Sequence, residues 1–221
     1  MIDTALALLA PHYCSDCRQI GTTLCDNSKY DIISEHLSIC IACKKPASER
    51  GIRWSCHLSY DRAWMIARRQ DVLETVIDLY KFEHVMAAYN RLCSMLDDVL
   101  PILPKETIVI AVPTISSHKR ERGYDHCLLV ARDFARRRGL TLSKVLRLAS
   151  SATQRGASAT VRKKQAAQAF TVPGTVQPDV PYLLVDDIVT TGATLEYTTR
   201  VLKAAGASQV WVATIAYQAL D

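Results

Sequence analysis

Long apolar runs are missing from this chain of 221 residues. No stretch approaches the roughly 20 residues that a membrane-spanning helix needs, so no span is expected. Met1 to Pro11 lacks the positive flank and extended apolar core of a secretory leader, which makes a cytoplasmic location the expectation. Glycine-rich nucleotide signatures are missing too. Without a Gly-Lys-Ser/Thr the chain has no P-loop, and without a Gly-x-Gly-x-x-Gly it has no dinucleotide fingerprint. Aromatic residues are few, at 7%. Between Ile115 and Lys164 they are Tyr124 and Phe134 alone, little with which to stack bases. No internal repeat is visible apart from the spacing of the cysteines.

A hydrophobic content of 49% suffices for one core of ordinary size and a small appendage. The net charge of +5 is unevenly spread: Ile115 to Lys164 holds 13 Lys and Arg against 3 Asp and Glu, or +10, leaving −5 elsewhere. Positive charge is therefore gathered where an anion would be handled. Six of the 8 cysteines precede residue 57. Cys14-x-x-Cys17 and Cys40-x-x-Cys43 are separated by 22 residues and read as the knuckles of a zinc ribbon. Each pair is followed by a single cysteine, in Cys25-Asp-Asn-Ser28 and Cys56-His-Leu-Ser59, as if serine had replaced a second thiol. Two ligand sets are then possible. Either Cys14, Cys17, Cys40 and Cys43 share one metal, or adjacent pairs make two sites of three cysteines (with Cys25 and Cys56) that borrow a ligand from His12, His36 or His57. The first explains both serines by the loss of one site and is preferred. Cys93 and Cys127 fall in helical patterns and read as small buried residues.

Residues 1–59 are expected to form the cysteine-rich appendage and 60–221 an α/β domain. Ala63 to Ala67 and Thr107 to Val112 read as strands, and Asp71 to Leu100 as one or two helices. Cys127 to Arg138 reads as a helix closed by Gly139, with Phe134 inward and the arginines outward. Leu142 to Leu148 reads as a short strand, Ser150 to Thr160 as a mobile loop, Ala193 to Ala205 as a helix and Gln209 to Ala216 as the last strand. Alternation of this kind predicts a doubly wound parallel sheet.

The segment Tyr182 to Leu195, YLLVDDIVTTGATL, says most about chemistry. Four apolar residues of a buried strand run into Asp186 and Asp187, and then into the turn Thr190-Thr191-Gly192-Ala193-Thr194 that opens a helix. Strand ends of this type are where open α/β sheets place ligands, and a helix N-terminus attracts phosphate. Two successive carboxylates at a buried strand end are costly without partners, which argues against a purely structural origin.

At every position this segment resembles the signature of the type I phosphoribosyltransferases. The resemblance implies that Asp186 and Asp187 hold the ribose hydroxyls of phosphoribosyl pyrophosphate (PRPP). It also implies that Thr190, Thr191, Gly192, Ala193 and Thr194 wrap the 5′-phosphate. Three further stretches, Val112 to His126, Gln154 to Phe170 and Ile77 to Leu92, together with the cysteine-rich N-terminus, resemble the ComF family of competence-associated phosphoribosyltransferase-like proteins. This second resemblance implies a doubly wound phosphoribosyltransferase fold with glycosyltransferase (phosphoribosyltransferase) activity, using Mg²⁺ with PRPP and a structural Zn²⁺ in a zinc-ribbon appendage, and acting in DNA uptake or nucleotide metabolism on an unspecified acceptor. Lys119, Arg120 and Arg122 would meet the diphosphate, with Lys81 as an outer candidate. The other class of function is a non-catalytic factor that handles single-stranded DNA or docks a competence protein partner. The chain departs from the family where an Asn-Gln pair is Asp125-His126 and where an Asn is Gln165, and the first departure adds negative charge near the anion site.

Overall fold

The computed structural model describes residues 11–34, 38–83, 85–114, 124–148 and 170–219. Its main sheet is built from β1 (Arg62–Arg68), β2 (Ile108–Ala111), β3 (Thr141–Ser143), β6 (Pro181–Val189) and β7 (Gln209–Tyr217) in the order β1-β7-β6-β2-β3. Every neighbouring pair is parallel. Strands β4 (Arg147–Leu148) and β5 (Phe170–Thr171) pair separately and antiparallel. The central strands are apolar on both faces because both are covered, as parallel sheets require. Leu183, Val185, Ala213 and Ile215 point into one apolar cluster, Tyr182, Leu184, Val210 and Val212 into the other.

Helices α1 (Asp26–Ser34), α2 (Asp71–Lys81), α3 (Met86–Val99), α4 (His126–Arg138) and α5 (Ala193–Ala204) complete the elements. Helix α2 sets Leu73, Val76, Ile77 and Tyr80 on one stripe, and all four are buried in the first cluster. Val130, Ala131 and Phe134 of α4 join them, each fully buried aliphatic or aromatic side chain contributing roughly 1.5–3 kcal/mol. Helix α5 covers the opposite face through Leu195 and Leu202. Gly139 takes a left-handed φ of 64° to close α4, and the preceding Arg138 turns onto the end of α3, donating to Asp97 and to the carbonyls of Leu100 and Pro101. The Asp97 carbonyl, which Arg138 also meets, and the Leu100 carbonyl are among the unpaired acceptors every helix end leaves.

The cysteine-rich segment does not sit to one side. Cys14, Leu24 and Cys25 enter the first cluster, whereas Ile41 and Tyr60 enter the second, so its halves clasp opposite faces of the sheet.

Most expected elements are found within a residue or two. Two boundaries differ. In place of one strand over Leu142 to Leu148, the Ser143 hydroxyl accepts a bond from the Val145 N–H (3.3 Å), and this turn redirects the chain from β3 into β4. The strand carrying Asp186 and Asp187 continues beyond them to Val189, because β7 is equally long and pairs with it as far as Val189 opposite Tyr217. Helix α1 is not anticipated by the apolar spacing of the sequence. The expected loop at Ser150 to Thr160 lies outside the described residues.

Candidate functional site

Sheet order fixes where a ligand can enter. From β2 the chain moves outward to β3 through α4 on one face, and from β6 it moves the opposite way to β7 through α5 on the other. Strands β2 and β6 are neighbours, with Ala111 opposite Val185, so the topology reverses between their carboxyl ends. A crevice at such a switch point is the usual ligand site of an open α/β sheet. Both helix N-termini, α4 at Asp125 and α5 at Gly192, border it.

Asp186 and Asp187 stand on β6 at this point, both half-buried. Lys81, the last residue of α2 and itself 8% exposed, reaches across to Asp187 with Nζ 2.6 Å from Oδ2. Burial pushes the Asp187 carboxyl up, but the Lys81 ammonium, its hydrogen bond and the Ile188 N–H (2.7 Å) outweigh it and hold the group below the ordinary carboxylate range. Asp186 accepts the Asp187 N–H at 2.9 Å, and burial together with the neighbouring carboxylate raises it to about 8. The free protein therefore presents one ionised and one protonated carboxyl at neutral pH, a divergence typical of functional carboxylate pairs. Beneath them Cys127 Sγ donates to the Val185 carbonyl at 2.7 Å, and burial drives its thiol upward, which makes it a packing group.

The turn after β6 is open on one side and walled on the other. Thr191, Ala193 and Thr194 are exposed. Gly192 is the N-cap of α5 with φ 80° and has no side chain to cap the helix; Thr191 Oγ1 accepts from the Ala193 N–H at 3.3 Å, and the remaining N–H groups of the first turn are the donors an anion would use. A Cβ on Gly192 would come within 2.7 Å of Ile41 Cγ2, so glycine is required both by conformation and by space. Beside it Lys44 donates to the Thr190 carbonyl at 2.7 Å and to the Ile41 carbonyl.

The six N-terminal thiols gather differently from the preferred ligand set. Cys14, Cys17 and Cys25 form one cluster and Cys40, Cys43 and Cys56 another, each with its sulfurs within 4.8 Å of one another. Cys14, Cys17, Cys40 and Cys43 do not come together among the described residues, because the halves lie on opposite faces of the sheet. The clusters fit a tetrahedral thiolate metal. Zn–S bonds of about 2.3 Å imply S···S edges of about 3.8 Å, and Cys17 and Cys25 are 3.6 Å apart. Both knuckles turn the same way, with Arg18 N donating to Cys14 O and Lys44 N to Cys40 O, and with Arg18 and Lys44 at φ 64° and 61°. Ser28 Oγ lies 3.6 Å from Cys14 Sγ and 3.2 Å from Cys25 Sγ and donates to Asp16 at 2.7 Å. Ser59, its counterpart, instead donates through Oγ and N to Glu196 at 2.6 and 3.0 Å. Of the histidines that could supply a fourth ligand, His12 and His57 join neither cluster and His36 lies outside the described residues.

Lys119, Arg120 and Arg122 also lie outside the described residues. Asp125 caps α4, accepting from Leu128 N (3.2 Å) and Thr114 Oγ1 (3.0 Å), so its negative charge is met by a helix N-terminus. His126 is buried against Tyr80 and Tyr124, at ring separations of 4.6 and 4.4 Å. Neither Thr114 nor this aromatic group carries a signal in the sequence. Thr114 borders a cleft of about 380 Å³ beside the switch point, shared with Pro113, Asp125, Lys144 and Arg147. A slightly larger cavity, about 410 Å³, lies between the first cysteine cluster and the start of α2, bordered by Asp16, Ser28 and Asp71 and not by the acidic pair.

The phosphoribosyl transferase domain family matches residues 127–220, a stretch that runs from α4 through β7 and holds both the acidic pair and the Thr/Gly turn. The chain is 27% identical over 195 residues to the DNA utilization protein YhgH of Salmonella typhi, covering 81% of this chain and 85% of that protein. The DNA utilization protein YhgH of Salmonella typhimurium strain LT2 matches with the same identity and coverage. A solved hypoxanthine phosphoribosyltransferase from Staphylococcus aureus aligns with a TM-score of 0.33 and 14% identity over 57% of this chain and 61% of that one.

Proposed function

We propose that the chain binds PRPP at the β6 switch point and transfers its phosphoribosyl group to an acceptor. The observation that carries this is the continuity of the site: the acidic pair and the Thr/Gly turn belong to one uninterrupted segment, Asp186 to Thr194. In the transfer the C1–O bond to pyrophosphate breaks, pyrophosphate leaves with the electron pair, and the acceptor forms the new bond at C1. No protein nucleophile is required. Thr190 to Thr194 hold the 5′-phosphate, Asp186 and Asp187 orient the ribose hydroxyls and stabilise the positive charge that develops on the ring, and Lys81 keeps Asp187 ionised. Mg²⁺, when bound with the ligand, neutralises the departing diphosphate. Lys119, Arg120 and Arg122 belong to that diphosphate site in this reading. The test is calorimetric titration of PRPP with and without Mg²⁺, followed by a pyrophosphate-release screen over nucleobases and amines.

A second reading draws on the relatives named for DNA utilization and on the +10 segment: the fold handles single-stranded DNA without turnover. The arginines at the end of α4 favour it little. Arg136 and Arg137 are paired with Asp133 at 2.6 and 2.8 Å, and Arg138 with Asp97.

For the cysteines, two structural zinc sites are the reading the clusters support: Cys14, Cys17 and Cys25 with Ser28 at the fourth corner, and Cys40, Cys43 and Cys56.

A further inference from the structure

The two cysteine clusters differ in what they hold. The first is fastened to α3: Arg91 donates to Thr22 and Asp26 at 2.9 Å each, and Lys29 to Ser94 at 3.0 Å and to Asp98 at 2.8 Å. The second is fastened to the phosphate turn. Ile41, inside the Cys40-x-x-Cys43 knuckle, is fully buried and forms the wall against Gly192. Lys44, immediately after Cys43, bonds Thr190 O and lies over the Tyr217 ring at 4.1 Å. Ser59, three residues beyond Cys56, is bonded by Glu196 in the first turn of α5.

We infer that the metal on Cys40, Cys43 and Cys56 sets the shape of the phosphate turn, so that occupancy of this site controls affinity for a phosphorylated ligand, and that Lys44 is the positioning residue linking the two. The inference rests on the phosphoribosyl reading of the turn. Its physical basis is local. Lys44 holds a left-handed φ of 61°, which a lysine adopts only when its surroundings enforce it, and here the Cys40 carbonyl receives its N–H at 2.9 Å. A metal joining the three thiols fixes that knuckle. Once the metal is lost, Ile41 and Lys44 are released together, and the turn loses both its wall and the bond to Thr190 O. Small metal knuckles have little core of their own, so metal binding energy is their folding energy.

The test compares three variants of the full chain. Lys44→Met removes the ammonium and keeps most of the stem, Cys56→Ser breaks the second cluster, and Cys17→Ser breaks the first. Zinc content, Mg²⁺-dependent PRPP affinity and hydrogen exchange of the amides from 190 to 196 in ligand-free protein are measured for each. Lys44→Met should keep the wild-type zinc content, lose about tenfold or more in affinity and exchange faster in the turn. Cys56→Ser should lose one metal with at least the same loss of affinity and protection. Cys17→Ser should lose one metal and leave the turn's exchange and affinity unchanged. Wild-type exchange at 190–196 in both Lys44→Met and Cys56→Ser, or equal effects of Cys17→Ser and Cys56→Ser, would overturn the inference. The exchange measurement needs no ligand, so failure of the wild type to bind PRPP would remove the functional reading and leave this result standing.

Discussion

At Asp186 a single carboxyl makes stability depend on pH. Its pKa in the folded protein is raised to about 8 against an ordinary 3.8, by burial and by the Asp187 carboxylate. The folded chain therefore holds this proton more tightly than the unfolded one, and the contribution is full at low pH and is lost as pH rises from the unfolded value through about 8. Asp186→Asn should consequently melt higher than wild type by a margin that widens from pH 5 to pH 8, as calorimetric scans across that range would show. If a ribose-bound Mg²⁺ needs the ionised pair, wild-type PRPP affinity should rise with pH up to the same point, with release of about one proton on binding. A melting difference independent of pH would contradict the assignment. The pair itself was legible in the sequence, because two carboxylates closing a buried apolar run are costly unless a cation or a ligand meets them. That they titrate apart was not legible. It depends on Lys81 crossing from α2 to Asp187 and not to Asp186, a contact of residues 106 positions apart in the chain.

At the level of elements, the turn between β6 and α5 is walled on one side by Ile41. Gly192→Ala would place its Cβ against Ile41 at 2.7 Å and hold a non-glycine residue at φ 80°. A destabilisation of about 1–3 kcal/mol in urea melts is expected from the strain, with a larger proportional loss of PRPP affinity because the strained atoms belong to the proposed phosphate turn. Affinity and stability both at wild-type values would mean that the turn is not walled as described. Strand and helix identities were legible because apolar period and β-branching respond to burial, as in Ile108–Ala111 and Asp71–Lys81. The extension of β6 through the acids was not legible. A strand's length is set by its partner's, and only the register with β7 reveals it.

Across the whole molecule, the cysteine-rich segment clasps both faces of the sheet, and this decides how its thiols pair. Metal analysis should return about two zinc per chain, one for each cluster of three cysteines. Cys40→Ser should remove one zinc and leave the other in place. A single zinc, bound by all four residues of the two Cys-x-x-Cys pairs, would contradict the arrangement. Spacing alone could not choose between the ligand sets, since one shared metal and two separate ones use the same pairs. The choice lies in Ile41 packing on one face of the sheet and Cys14, Leu24 and Cys25 on the other. The central claim, that the β6 switch point is a phosphoribosyl site, is tested most directly by calorimetric titration of PRPP with Mg²⁺ into wild type and Asp187→Asn. Wild type should bind with a heat that depends on Mg²⁺, and the variant, still folded by circular dichroism, should lose at least tenfold in affinity. Equal affinity in the two proteins, or no binding by wild type, would contradict it.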